Sequence, residues 1–315
     1  MPPKLNSVLR EFSVLEDAPA GADHLVFESQ TFHPDLGITR FGRHIPKMSE
    51  AWLNNTILMN GDTVVGTGED PRPFIWRDSP CITAQSFFPG FGFINKIYVA
   101  REDRWIQLIP PHSIRKGKNW MPFVRDDTLY FIHGFDPFIV LRGRLEHEND
   151  NFMLLDIVEN FKTRTPKTID KFSIFRGGAN ALWTGDRVIG IGHSNNAPEN
   201  SRISIEHRPF VFTYEPGKAL SIDAFPFDFP DTYKIVDPTA LYVQDGTIYL
   251  TTCETERMWF DTPQRGRHCL YELGRESDLH ENSLGFGGRR LHRWTLGETS
   301  AIGRLLGARG RPETA

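Results

Sequence analysis

Along most of the chain, short apolar runs alternate with clusters of Asp, Gly, Pro and Asn. That is the pattern of strands and turns. Helical periodicity is scarce. Two short stretches, 4–11 and 156–163, carry apolar spacing that predicts helices. Strands at this density predict an all-β fold.

The strands also resemble one another. "DPRPFIWRDSPCITAQ" starts at Asp70, "WMPFVRDDTLYFIHG" at Trp120, "GANALWTGDRVIGIGHS" at Gly178 and "DPTALYVQDGTIYLTTC" at Asp237. Each has a polar or small entrance, then a short apolar strand. Each turns at an Asp-containing pair: Arg77-Asp78, Asp126-Asp127, Gly185-Asp186 or Asp245-Gly246. Each returns through a second apolar strand. Asp-Gly pairs between alternating runs are hairpin signals. Successive starts lie 50, 58 and 59 residues apart. A repeated hairpin of that period predicts a β-propeller, and the length leaves room for five blades. "TILMNGDTVVGTG", 56–68, supplies a hairpin for the outer part of the first blade. The competing architecture is two stacked β-sandwiches, but no linker interrupts the middle of the chain. The expected organisation is one five-bladed β-propeller over 1–302. The basic, Gly-rich tail 303–315 is expected to fray.

Composition narrows the function. Apolar residues make up 39% and charged residues 24%, ordinary for a globular protein. A net charge of −4 argues against a nucleic-acid partner held through phosphates. No apolar run reaches a membrane span, and the first residues lack the apolar core of a signal peptide. Cys81, Cys253 and Cys269 are an odd set without metal-like spacing, read as reduced thiols of a cytoplasmic protein. His33 and His44 stand eleven apart, which suits a hairpin rather than a ligand pair. Neither a metal nor a cofactor is expected. The 24 Phe and 7 Trp suit a β core, and rings also stack on sugars.

In a propeller, the innermost strands start near the central axis. Their entrances hold Glu69, Asp70 and Arg72; Lys118, Asn119 and Trp120; Arg176, Gly177 and Gly178; and Asp237. The ends of the second strands add His133, Asp136, His193, Glu254 and Glu256. Each has a plainer reading. Asp70, Asp136 and Asp237 could shape turns. Arg72 could neutralise Asp70, Lys118 could belong to a solvated run, and His193 could be a core histidine. Glu254 and Glu256, two apart on a strand, could share a solvated face. Together the groups match glycosidic-bond chemistry, which needs a carboxylic acid near the bridging oxygen. The second requirement is either another carboxylate for water or a cationic cradle for phosphate. Both sets are present. The entrances differ from one another, which favours one composite site over the equal sites of a lectin.

"GEDPRPF", 68–74, resembles the Glu-Asp-Pro-Arg signature of the family-130 glycoside phosphorylases and hydrolases acting on β-mannosides, and of the related β-1,2-mannosyltransferases. "GKNWMPFVRDDTLYFIHGFDP", "FRGGANALWTGDRVIGIGHS" and "VDPTALYVQDGTIYLTTCETE" follow that family's order, so the resemblance spans roughly 60–260. It implies a five-bladed propeller. It places Asp70, beside Glu69, in the acid-bearing motif, Arg72 and Lys118 along the sugar and anion site, and His193 at the phosphate. Two departures stand out. His133-Gly134-Phe135-Asp136-Pro137 replaces the family's His-Arg-Pro, and Cys253-Glu254-Thr255-Glu256 replaces a small-residue run. They remove positive charge and add negative charge.

The expectation is therefore an enzyme that makes or breaks a glycosidic bond, by transfer or phosphorolysis. A hydrolase and a non-catalytic glycan-binding propeller are the alternatives. Asp70, its pKa raised by the pocket and by Glu69, is the first expected acid or base, with Glu69 the other catalytic candidate. Arg72, Lys118, Asn119, Arg176 and His193 would bind phosphate or a donor phosphate. Trp120 and Phe123 would offer a stacking face. Asp136, Asp237, Glu254 and Glu256 would hold sugar hydroxyls or supply a second carboxylate. The expected partners are an oligosaccharide or activated sugar, with phosphate.

Overall fold

A computed structural model describes residues 4–14, 24–45, 56–88, 92–114, 117–163, 174–196, 205–224, 233–257 and 264–276. Strand β1 (Lys4–Val14) lies antiparallel to β21 (Gln264–Arg275), so strands from both ends of the described chain share one sheet. Next, β2 (His24–His33), β3 (Gly37–Ile45), β4 (Ile57–Asn60) and β5 (Thr63–Thr67) pair in order as a four-stranded sheet. A second meander holds β6 (Glu69–Trp76), β7 (Ser79–Phe88), β8 (Gly92–Val99) and β9 (Arg104–Ile109). A third holds β10 (Met121–Arg125), β11 (Thr128–Phe135), β12 (Phe138–Arg144) and β13 (Phe152–Phe161). These two join where β13 runs parallel to β9.

The remaining strands are β14 (Ile174–Arg176), β15 (Ala181–Trp183), β16 (Val188–Asn196), β17 (Glu206–Glu215), β18 (Ala219–Ala224), β19 (Ile235–Gln244) and β20 (Thr247–Thr255). Together with β21 and β1 they make a nine-stranded sheet. The fold is all-β, as predicted. The two predicted helices are not found: 4–11 lies in β1, and 156–161 lies in β13. The spacing of Leu5 and Val8 imitates a helix. A partner about 260 residues away supplies the backbone hydrogen bonds that decide otherwise. A short helical turn lies at Ala100–Glu102.

The predicted hairpins close at the expected residues. Trp76 pairs with Ser79, Arg125 with Thr128 and Gln244 with Thr247. Both residues between each pair have positive φ: 48° and 58° at Arg77-Asp78, 50° and 58° at Asp126-Asp127, 51° and 69° at Asp245-Gly246. Two such residues match the twist of the flanking strands, which is why Asp and Gly sit there. The Gly185-Asp186 turn is longer, because Trp183 pairs with Val188. The 56–68 hairpin is β4–β5, at one edge of its sheet as expected.

The cores lie between meanders. Phe74, Trp76, Ile97, Ile106, Phe131 and Leu141 pack between the second and third. Phe123, Phe138, Phe175, Phe210 and Phe212 pack between the third and the strands that follow it. First strands converge: β2 packs on β6 and β19, β6 on β19, and β10 on β6 and β15. Gly177 allows one of these approaches. A Cβ there would sit 1.7 Å from the Asn119 carbonyl oxygen. The expected tail 303–315 falls outside the described residues.

Candidate active site

Strand β6 opens with Glu69-Asp70-Pro71-Arg72. Glu69 pairs with Gln85 and Arg72 with Thr83, so β6 carries one extra residue there. Asp70 takes a left-handed φ of 49°. A bulge of this kind re-aims a side chain and tolerates a proline that cannot donate to the ladder. That explains why two carboxylates, a proline and an arginine precede a buried strand.

Arg43, on β3, donates from Nη1 to Asp70 Oδ1 at 3.0 Å, and its Nη2 lies 3.8 Å from Glu69 Oε1. Gln85 donates from Nε2 to Asp70 Oδ2 at 3.3 Å, and its Oε1 accepts from the Asn119 backbone N–H at 3.2 Å. Lys118 Nζ lies 3.7 Å from Glu69 Oε2. Arg72 is buried, donates from Nη1 to the Pro238 carbonyl at 2.6 Å and stands over the Phe27 ring. The sequence placed Asp70, Glu69, Arg72, Lys118 and Asn119 together, and the fold does so. Arg43 and Gln85 belong to no motif, and sequence reading missed them.

The two carboxylates are pushed apart. Burial raises Glu69, and Asp70 beside it adds to the rise against the pull of Arg43 and Lys118. Burial also works against charge on Asp70, but Arg43, Lys118 and Arg72 outweigh it and hold that carboxyl below its ordinary value. The expectation of a raised Asp70 is thus corrected. Three cations surround it, and Glu69 takes the upward shift.

A second group faces this one. His207 Nδ1 lies 2.6 Å from Asp237 Oδ1, and His193 Nδ1 lies 3.9 Å from the same oxygen. The two imidazoles stack with centroids 4.6 Å apart. Burial opposes charge on Asp237, yet His207, His193 and Arg72 hold its carboxyl far below the usual range. Burial, His207, Arg72 and Arg176 push His193 well below 6.5, so it is neutral at neutral pH. Arg176 pairs with His193 across the strands. His207 was missed. The His-Arg-Pro sought near His133 stands at His207-Arg208-Pro209 in β17, and that triplet was the signal.

His193, His207 and Asp237 each offer an atom within 4.8 Å of the others and could hold a metal ion, which their chain spacing did not suggest. Arg72 and Arg176 act on the same place, and that positive charge favours an anion. His33, Asp35 and Asp78 form another grouping. There His33 Nδ1 accepts from the backbone N–H groups of Asp35 and Leu36, and Nε2 faces Asp78 at 2.7 Å. Both ring nitrogens are in use.

Other expected residues lie elsewhere. Trp120 is 3% exposed within the core, against Phe131 and His133, and offers no face to a sugar. Phe123 stacks on Tyr130. Asp136 is exposed in the turn from β11 to β12. Glu254 is 1% exposed and accepts from Thr252 Oγ1, Tyr271 OH and Arg267 Nε at 2.9, 2.7 and 2.8 Å. Glu256 binds Arg265. These contacts tie β20 and the residues after it to β21. All three cysteines are buried. No helix among the described residues is long and apolar enough to cross a membrane.

No protein-family model matches the chain, and no curated protein matches it. Solved structures do. A glycosyl hydrolase from Bacteroides ovatus aligns at a TM-score of 0.51 and 10% identity over 86% of this chain and 90% of its own. A candidate glycosidase from Bacteroides thetaiotaomicron aligns at 0.52 and 10% over 86% and 93%. A structure described for the GH130 family of mannoside phosphorylases, with hydrolases that target β-1,2-mannosidic linkages in Candida mannan, aligns at 0.49 and 10% over 86% and 90%. The chain shares the fold of glycoside-hydrolase-like proteins. The motif resemblance points to the same group.

Proposed function

We propose that the chain is a five-bladed β-propeller enzyme that makes or breaks a glycosidic bond in a β-mannoside-like oligosaccharide. The blades are β2–β5, β6–β9, β10–β13, β14–β18, and β19–β21 completed by β1. The observation that carries the reading is the carboxylate pair at the β6 bulge, with Glu69 shifted up, Asp70 shifted down, and Arg43, Arg72 and Lys118 around it.

In the synthetic direction the acceptor hydroxyl attacks the anomeric carbon of a sugar 1-phosphate. The bond from that carbon to the phosphate oxygen breaks, and phosphate leaves with the electron pair. Ionised Asp70 takes the hydroxyl proton. Phosphorolysis is the reverse, with Asp70 returning the proton to the bridging oxygen. Arg72, Arg176 and neutral His193 would receive the phosphate. Its negative charge there would weaken the cations' hold on Asp70, raising its pKa when a proton is needed.

Asp237 supports a second reading. It is a carboxylate held ionised and 26% exposed, so it could activate water in a hydrolase. The two are separated by incubating manno-oligosaccharides with and without phosphate. Phosphorolysis gives sugar 1-phosphate and is lost in Arg72→Ala. Hydrolysis gives free sugar without phosphate and is lost in Asp237→Asn.

A further inference from the structure

The aromatic platform expected at Trp120 is absent, because that ring is core. Another pair of rings stands beside the carboxylates. Gln85, which holds Asp70, lies two residues before Phe87 on β7, so both point to the same face. On β8, Asn95 pairs with Gln85 and Phe93 with Phe87, which puts all four on that face. Phe87 and Phe93 meet edge to face at 5.3 Å. Asn95 donates from Nδ2 to the Gly117 carbonyl at 3.0 Å, tethering the segment that carries Lys118. Lys118 Nζ lies 5.7 Å from the Phe93 centroid and 3.7 Å from Glu69 Oε2. The Lys118 ammonium thus lies near both the ring and the carboxylate. Neighbouring Phe88 is 46% exposed, and Phe93 is half-buried.

We infer that Phe93, braced by Phe87, is the stacking platform for the sugar unit on the leaving-group or acceptor side of the bond. This rests on the glycosidic reading above. Arg72, Arg176 and His193 gather on the Asp237 side of Asp70 and claim the anion. Glu69, Lys118 and Phe93 form a separate group, which is left for the second sugar. The apolar face of a pyranose fits an aromatic ring flanked by a cation and a carboxylate, because its hydroxyls then meet the polar groups.

The test measures both binding and turnover. A manno-oligosaccharide panel is titrated calorimetrically into wild type, Phe93→Ala and Phe93→Tyr, and products are followed in parallel. Phe93→Ala is expected to weaken binding and raise the oligosaccharide KM by about ten-fold, the loss of one stack. Phe93→Tyr is expected to restore both. Unchanged affinity in Phe93→Ala, or no binding by wild type, overturns the platform. Turnover with unchanged affinity in Phe93→Ala removes the platform and leaves the enzyme. Binding that depends on Phe93 without any turnover keeps the platform and removes the enzyme.

Discussion

Arg43 reaches from β3 to the head of β6, and its Nη1 donates to Asp70 Oδ1 at 3.0 Å. Its other terminal nitrogen lies 3.8 Å from Glu69. Arg43 is first among the cations that lower Asp70. Arg43→Ala is therefore expected to raise the Asp70 pKa. In the synthetic direction, where Asp70 must be ionised, the acid limb of kcat/KM moves up in pH, and Arg43→Lys moves it less. An unmoved limb would show that Arg43 does not set the Asp70 charge.

Gly177 admits no side chain. A Cβ would meet the Asn119 carbonyl oxygen at 1.7 Å and Met121 at 2.9 Å. Gly177→Ala is expected to destabilise the chain by about 1–3 kcal/mol. It should also lower activity, because Asn119 binds Gln85, and Gln85 holds Asp70. Thermal melting and kinetics read the two effects. A variant with wild-type stability would mean the two segments part at no cost.

Glu254 and Arg267 form a buried pair, with Nε to Oε2 at 2.8 Å. Removing one partner leaves the other charge buried. Arg267→Ala is expected to cost about 3–5 kcal/mol of stability. Glu254→Gln with Arg267→Leu should cost less, and the double variant should keep the wild-type KM for oligosaccharide. A large KM change without loss of stability would return Glu254 to the ligand site.

How much of this was legible depended on distance along the chain. Hairpins were readable because Asp126-Asp127 or Asp245-Gly246 fixes its own turn locally. β1 was not, because its partner β21 lies at the other end of the described chain. The bulge residues Glu69 to Arg72 stood out because they are out of place before an apolar strand. Arg43 and Gln85 did not, since single polar residues on strands look solvent-facing until a neighbouring sheet covers them. Trp120 was misplaced because its position at an entrance says nothing about which way its ring turns. Glu254 failed for the opposite reason: its pairing with Arg267 satisfies it inside the sheet.

Acid should weaken the fold through His193. In the folded chain this imidazole is held neutral well below 6.5. The unfolded chain takes up a proton near the ordinary value of about 6.5. The stability this group contributes is therefore present above that pH and lost as pH falls below it, by up to about 1.4 kcal/mol per pH unit. Glu69, shifted up, gives the opposite slope, since ionising it above about 4.5 costs the folded state. Melting temperatures from pH 7 to 5 are expected to fall in wild type and to fall less in His193→Asn. Parallel curves would remove His193 as the source.

The central claim is that Asp70 carries the proton of a glycosidic-bond reaction. Wild type and Asp70→Asn would be incubated with manno-oligosaccharides plus phosphate, and with sugar 1-phosphates or nucleotide sugars plus acceptors, with products read by mass spectrometry. The account predicts a new glycosidic bond or sugar phosphate in wild type, and its loss in folded Asp70→Asn. Equal turnover in the variant, or none from folded wild type in any arm, would contradict it.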